Sequence, residues 1–369
     1  MYDVLSIGEA LMDFIPVPPA PVEQEAEEEW AEFSDWELDE TETVPEAAEQ
    51  AEEAPAQEPV PVFEQNVGGS PANVACALAR LGVKTGFIGK VGNDTAGRTV
   101  KTVLDDCGVD TRNMILADGL TTPLAFVHRT AEGKQFTFYR NAGTADTHLE
   151  EDDIDDEIFT DCKVFNFSSF PLSAEPSRST ILNAVVKAKE SGARITFDPN
   201  LRLNIWESPE QAREVILQAL TLADILKISE EDFQFLFPGM DERAACEQIY
   251  LENGTEMIII TKADRGCYAY VNQDSYLSSA YDVPVVDTTG SGDAFLAGVI
   301  YNLMRLNKNV HDMSSVEITV MLDFANAVGS LVCTRPGAIA AFPTPREIVL
   351  CMEKIPKKMA ENSTMAIWE

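Results

Sequence analysis

Short apolar runs of three to five residues alternate with longer stretches of helical spacing along most of the chain. Val4-Leu5-Ser6-Ile7-Gly8 is such a run, apolar and closed by Gly, and predicts a buried parallel strand. Thr85 to Ile88, Met114 to Leu116, Val164 to Phe167, Ile195 to Phe197, Ile225 to Ile228 and Met257 to Thr261 read the same way. Val283 to Val286 is a further β-like run. Between them, helical patterns cover Thr95 to Cys107, Pro176 to Ser191, Phe295 to Met304 and Ala325 to Val332. Ser70 as N-cap, Pro71 at the first helical position and Gly82 as terminator frame another helix. Pro123 to Arg129 and Lys134 to Arg140 alternate with period two around Glu132-Gly133, which predicts a hairpin. A hairpin inserted in a strand–helix series suggests a flap beside an α/β sheet, a lid. The acidic run Glu150 to Glu157 lacks the central Gly and ligand spacing of a calcium loop, so it predicts the first turn of a helix.

One stretch breaks the pattern. Pro18 to Pro61 is rich in Glu, Ala and Pro, holds no Lys or Arg, and predicts disorder, with a short helix conceivable near Glu25 to Phe33. Its acids interleave with Trp30, Phe33 and Trp36, a composition that could bind a basic partner; a solvated insertion without chemistry is the plainer reading. After Pro356 the tail Lys357 to Glu369 reads as frayed.

Charge changes the picture next. The 369 residues carry 27 basic and 62 acidic side chains, a net charge of −35. No Lys or Arg precedes Arg80, while residues 1–79 hold 20 acids, leaving 42 of the acids against all the basic residues. So negative a field argues against a nucleic-acid substrate, which needs clustered cations. With 45% apolar residues the chain can build one large core or two smaller ones. Seven scattered cysteines, without a CxxC pair, read as reduced thiols. No basic leader is seen at Met1-Tyr2-Asp3-Val4 and no apolar run approaches about 18 residues, so no membrane partner and a cytoplasmic location are expected.

The chemistry concentrates at Asp287-Thr288-Thr289-Gly290-Ser291-Gly292-Asp293-Ala294-Phe295. Glycines at 290 and 292 let the backbone turn sharply and present several N–H groups at a helix N-terminus, which favours an anion. A carboxylate there would repel a phosphate unless Asp293 took the proton of a hydroxyl attacking it; an acidic N-cap is the alternative. Gly68-Gly69 ahead of Ser70 permits close approach to the backbone, and Asn73 can both donate to and accept from a sugar hydroxyl. Glu9 and Asp13 follow the first strand, and Asp198-Pro199-Asn200-Leu201-Arg202 follows another, at the ends where α/β sheets bind ligands. Arg140, at the end of the hairpin, could reach an anion or a sugar oxygen, or form a rim salt bridge. No Gly-x-Gly-x-x-Gly follows the first strand and no Gly-x4-Gly-Lys-Ser/Thr occurs, against an oxidoreductase or P-loop kinase.

Asp287 to Phe295 resembles the carboxy-terminal signature of the ribokinase-like, or PfkB, carbohydrate kinases, and Gly68 to Gly82 their amino-terminal signature. The resemblance covers nearly the whole chain except roughly residues 18–61 and the tail, and the 68–75 and 198–202 runs look most like fructokinases. It implies one kinase domain over 1–355, a three-layer α/β/α sandwich with a small β-sheet lid from about 11–17, 61–67 and 121–140. The acidic insertion 18–60 then falls within the lid, and 356–369 form the tail. It implies ATP as donor, Mg2+, and a loop pair that often binds K+. Asp293 would be the base, with the amides of Gly290, Ser291, Gly292 and Asp293 as anion hole. Asp13, Gly69, Asn73 and Arg140 would hold the sugar; Ser229, Thr261, Gly266 and Asn326 would lie near the nucleotide. Asp287, Thr289 and Gly337 would lie near K+, and Asp232 near Mg2+. Many members have Asn-x-x-Glu where this chain has Ser229-Glu230-Glu231-Asp232, a departure that shortens the acid by one methylene. The activity implied is phosphorylation of a primary hydroxyl of fructose. Another sugar or sugar acid (ribose, 2-keto-3-deoxygluconate) and a non-catalytic binding protein are the alternatives. Members often dimerise through the lid, and an insertion there could favour or block this.

Overall fold

The computed structural model describes residues 2–17, 61–130 and 133–358, so the acidic segment 18–60, with its conceivable helix, and the end of the tail lie outside the described residues. The strands in chain order are β1 (Val4–Ile7), β2 (Leu11–Val17), β3 (Val62–Gly68), β4 (Thr85–Gly92), β5 (Met114–Ala117), β6 (Leu124–Thr130), β7 (Gly133–Tyr139), β8 (Val164–Ser168), β9 (Arg194–Asp198), β10 (Ile225–Ser229), β11 (Met257–Thr261), β12 (Cys267–Val271) and β13 (Asp274–Ser278). Nine of them form one sheet in the order β13-β12-β11-β10-β9-β8-β1-β4-β5. It is parallel from β11 to β5, and β12 and β13 add an antiparallel edge.

Both faces of this sheet are covered, which is why its strands read as continuous apolar runs. Alternate residues go to opposite sides. Leu226, Ile228, Ile258 and Ile260 pack under α3 (Ser177–Glu190), α4 (Pro209–Leu220), α5 (Glu230–Leu236) and α6 (Glu242–Asn253). Ile225, Met257 and Ile259 pack under α7 (Ser291–Leu306) and α8 (Ser315–Val332), with Val4 and Phe87 under α1 (Ser70–Arg80) beside α2 (Thr95–Asp106) and α9 (Pro345–Lys354). The alternation thus yields a three-layer α/β/α sandwich, the architecture that the family resemblance implies. A second sheet, β3-β2-β6-β7, pairs β2 with β3 and β6 with β7 antiparallel and β2 with β6 parallel.

The chain leaves β1 toward β4 and β5, then returns to β8 on the other side of β1. Strand order therefore reverses between β1 and β8, and the crevice beyond their carboxyl ends is where such a sheet binds ligands. Glu9 follows β1 and Ser168 ends β8, and the Ser168 hydroxyl donates to Glu9 Oε2 at 2.9 Å across that reversal.

Several local expectations need correction. Val283 to Val286 is not a strand: Pro284 has no N–H, Val285 and Val286 are exposed, and Val286 N–H bonds Cys333 O instead. The run Glu150 to Glu157 forms two 3-10 turns, Glu151–Asp153 and Asp156–Phe159, rather than a helix start, and Asp153 is held by Lys90. The tail is anchored as far as Lys358, whose N–H donates to Ala280 O at 2.8 Å. α8 begins ten residues before the predicted Ala325, and by length and composition it could cross a membrane; 56% of it is buried within the molecule.

Candidate active site

Gly69 ends the approach to α1 with φ +107, and a Cβ there would lie 2.4 Å from Glu9 O, so only Gly fits. Ser70 is consequently the first helical residue rather than the N-cap. Its N–H is free for a partner outside the helix and finds Glu9 Oε1 at 2.8 Å. Its hydroxyl is free as well, and donates to Asp293 Oδ1 at 2.7 Å. One turn on, Asn73 Nδ2 donates to Asp293 Oδ2 at 2.8 Å. The acid of one predicted signature is thus gripped by two residues of the other, 220 and 223 positions earlier.

Asp293 stands in the first turn of α7, behind Gly290, which caps the helix with φ +77. Gly292 is not a turn residue; it is helical, and a Cβ on it would lie 2.8 Å from Lys227 Nζ. Of the four amides assigned to an anion hole, that of Ser291 donates to Thr288 O at 3.2 Å. Those of Gly292 and Asp293 lie in the first turn, where a helix supplies no partner.

A cavity of about 270 Å³ opens above this junction, lined by Glu9, Asp13, Gly69, Asn73, Asp293 and the rings of Phe136, Phe138 and Phe170. An apolar wall facing a few polar groups suits a small polyhydroxy ligand. Asn73 turns its amide toward a carboxylate that can only accept, so its Oδ1 points away and, among the described residues, has no partner although buried. A ligand hydroxyl would satisfy it.

A groove of about 1190 Å³ adjoins the cavity and includes Ser229, Asp232, Thr261, Gly266, Gly292 and Asn326. Asn200, Arg202, Lys227, Thr288 and Gly292 line both spaces, so the two meet over the first turn of α7. Ser229 caps α5, its hydroxyl accepting the Asp232 N–H at 3.0 Å. Thr261 Oγ1 lies 3.4 Å from Ile228 O, and Gly266, φ +93, lets the chain pass Ser278 O, which a Cβ would strike. Asn326 Nδ2 donates to Ser278 Oγ and O at 2.9 and 3.1 Å. Asp287 binds Thr289 N–H and hydroxyl through Oδ1 and Gly337 N–H through Oδ2, joining the loop before α7 to the loop after α8.

Arg140 does not join these residues. Its guanidinium is buried against Asp146, donates to Ser173 Oγ at 2.8 Å and lies over the Phe170 ring.

The acids here are held away from their ordinary values. Burial pushes Asp293 up, with Asp198 adding to it, against the hydrogen bonds of Ser70 and Asn73 and the charge of Lys227. Burial and the neighbouring Asp198 push Asp232 up to about 6. Burial pushes Glu9 up to about 7, in spite of its hydrogen bonds. Between its ordinary 4.5 and about 7 the folded chain keeps a Glu9 proton that the unfolded chain has lost. Stability is therefore undiminished on this account below 4.5 and falls as pH rises through 7. Glu9→Gln should match the parent near pH 4 and exceed it by on the order of 1–3 kcal/mol above pH 7 in urea titrations. A parent and variant with parallel pH profiles would contradict this.

Lys227, Glu9 and Ser70 are not among the site residues that the family resemblance assigns. A lone Lys within Ile225-Leu226-Lys227-Ile228, an otherwise apolar strand, is the signal that points to the first.

A family model for pfkB family carbohydrate kinases matches residues 38–345. Fructokinase-1 of Oryza sativa subsp. japonica is 39% identical over 295 residues, 79% of this chain and 90% of the relative. Fructokinase-1 of Zea mays is 38% identical over 296 residues, 80% of this chain and 90% of the relative. Among solved structures, a fructokinase from Xylella fastidiosa with bound ATP superposes with a TM-score of 0.79 at 26% identity, covering 96% of this chain and 99% of that one. A double mutant of the Vibrio cholerae O395 fructokinase with fructose, ADP and potassium ion bound gives 0.76 at 27% identity, covering 95% and 98%.

Proposed function

The chain belongs to the pfkB family of carbohydrate kinases, and on that premise we propose that it transfers the γ-phosphoryl group of ATP to a primary hydroxyl of fructose. The observation that carries this reading is the position of Asp293, held by Ser70 and Asn73 where a sugar-sized cavity meets a nucleotide-sized groove. The fructose, ADP and ATP bound by the relatives support the assignment of the two spaces.

In this reading Asp13, Gly69 and Asn73 hold the sugar and Ser229, Thr261, Gly266 and Asn326 flank the nucleotide. Asp293 accepts the proton of the attacking hydroxyl while the first-turn amides of α7 bind the phosphoryl oxygens. Its burial keeps it basic enough for that task. The pocket residues fit Mg2+ in its usual nucleotide-bound mode: Asp232 faces the groove, and among the described residues no three acids, histidines or cysteines form a cage of their own. When bound, Mg2+ neutralises phosphate charge. The loop pair joined by Asp287, Thr289 and Gly337 is read as the K+ site, supported by potassium in the Vibrio relative. Scattered cysteines without a CxxC pair, most of them buried in the core, support a reducing compartment such as the cytoplasm.

The second sheet is read as a lid. Its outer face stacks Phe14 on Phe126 at 4.6 Å, with Phe63 and the 61% exposed Tyr139 edge-on to Phe126, which supports a dimer closed through this face. Tyr139→Glu should convert a dimer to a monomer in analytical ultracentrifugation; a monomeric parent would overturn this reading. The acidic segment 18–60 would offer its own surface to a basic partner.

The function is tested with a sugar panel at fixed MgATP, reading ADP release. Fructose should give the highest kcat/KM, ahead of ribose and 2-keto-3-deoxygluconate. A higher value for either would reassign the substrate, and no turnover with any sugar would leave a binding protein.

A further inference from the structure

A charged residue in the middle of a covered parallel strand needs a reason, since burying an ammonium is costly unless it is paired. Lys227 occupies such a position in β10, between Leu226 and Ile228, which face the opposite helix layer. It is 5% exposed. Its Nζ donates to Asp198 Oδ2 at 2.8 Å. An ammonium has three protons, and among the described residues no other acceptor takes the remaining two. The group is not buried in blank protein: it lines both the cavity and the groove. It also stands against Gly292, so close that any side chain at 292 would meet it. Two unspent donors on a fixed positive charge thus face the point where the two spaces join.

We propose that Lys227 is a catalytic residue of the phosphoryl transfer, binding the migrating phosphoryl oxygens opposite the first-turn amides of α7. This rests on the kinase reading given above. The sugar oxygen forms its bond to the γ-phosphorus, the bond from γ-phosphorus to the β,γ-bridging oxygen breaks, and the hydroxyl proton passes to Asp293. Lys227 remains protonated throughout and supplies hydrogen bonds and charge only. Asp198 holds the ammonium in place before the nucleotide arrives. Gly292 follows from the same arrangement, because its missing side chain is what lets the ammonium reach the helix turn.

The test compares the full chain with Lys227→Met, measuring turnover and, by calorimetry without sugar, the affinities for MgADP and the imido analogue of MgATP. Turnover should fall by roughly 10²–10³-fold, as for loss of one oxyanion donor. The analogue should bind at least tenfold more weakly, with MgADP within about twofold, because only the former carries a γ-phosphoryl group. Lys227→Arg should recover part of the analogue's affinity. Should Lys227→Met fail to fold with Asp198 left unpaired, Lys227→Met with Asp198→Asn removes both charges and serves the same comparison. Equal weakening of both nucleotides, or turnover within about threefold of the parent, overturns the proposal. The nucleotide arm needs no sugar, so its result stands apart from the sugar panel, whose failure would instead remove the kinase reading.

Discussion

Asp293→Asn should lower kcat by on the order of 10²–10⁴-fold, the usual cost of removing a general base. The substitution keeps the shape of the side chain and leaves the fold intact. Ser70 can still donate to the remaining carbonyl oxygen. Asn73 can turn its amide to present Oδ1, which has no partner among the described residues of the parent, to the new NH2 group. Because the carboxylate is buried and its ionised form disfavoured, the variant should unfold at no lower urea concentration than the parent. MgATP affinity should stay within about threefold, since the first-turn amides of α7, proposed above to bind the phosphates, are unaltered. Equilibrium binding of MgATP beside steady-state kinetics checks all three. Turnover near that of the parent would remove Asp293 from the reaction.

Arg140→Met should cost about 3–5 kcal/mol of stability, because it leaves the buried Asp146 carboxylate without its cation. The two side chains are 6% and 1% exposed, so water cannot replace the lost partner. Adding Asp146→Leu should restore most of the loss, since removing both members of a buried pair is often close to neutral. Urea titration of the single and double variants measures this directly. The same experiment decides what Arg140 is for. The guanidinium lies over Phe170, which lines the sugar-sized cavity, so its first duty is to hold that wall. A variant of unchanged stability that binds fructose poorly would instead place Arg140 on the sugar.

The parts of the fold that sequence reveals are those with one dominant cause. A strand buried on both faces is mostly apolar, so β1, β8, β10 and β11 stand out as runs even with Ser6, Asn166 and Lys227 inside them. Elements on the periphery carry mixed faces and escape a search for apolar runs, although some announce themselves by other means. Ser208-Pro209 caps α4, and Ser314 with Glu317 and Thr344 with Glu347 form capping boxes that mark the true starts of α8 and α9. The β12–β13 hairpin turns on Asn272 and Gln273, both at positive φ, a geometry that Asn suggests and Gln does not. The Val283 to Val286 run shows the converse: its β-branched residues suggest a strand, and the single proline at 284 decides against one.

The candidate site divides in the same manner. Glycines 69 and 290 are legible because their backbone angles exclude other residues. Asp293 is legible because an acid in a glycine-flanked turn that would suit an anion calls for a reason. Ser70 is visible but misleading, since its type suggests a cap and only the neighbouring strand end shows that Gly69 takes that place. Glu9 past the first strand and the lone Lys227 in an apolar run are visible as residues, but their partners Ser168 and Asp198 depend on which strands become neighbours, and a single sequence does not state that order.

A structure of the chain with fructose and the imido analogue of MgATP tests the central claim most directly. The account predicts a primary hydroxyl of the sugar within about 2.6–3.2 Å of an Asp293 carboxylate oxygen, with the γ-phosphoryl group over the first turn of α7. Fructose bound outside the cavity of Asp13 and Asn73, or a γ-phosphoryl group directed away from that turn, would contradict it.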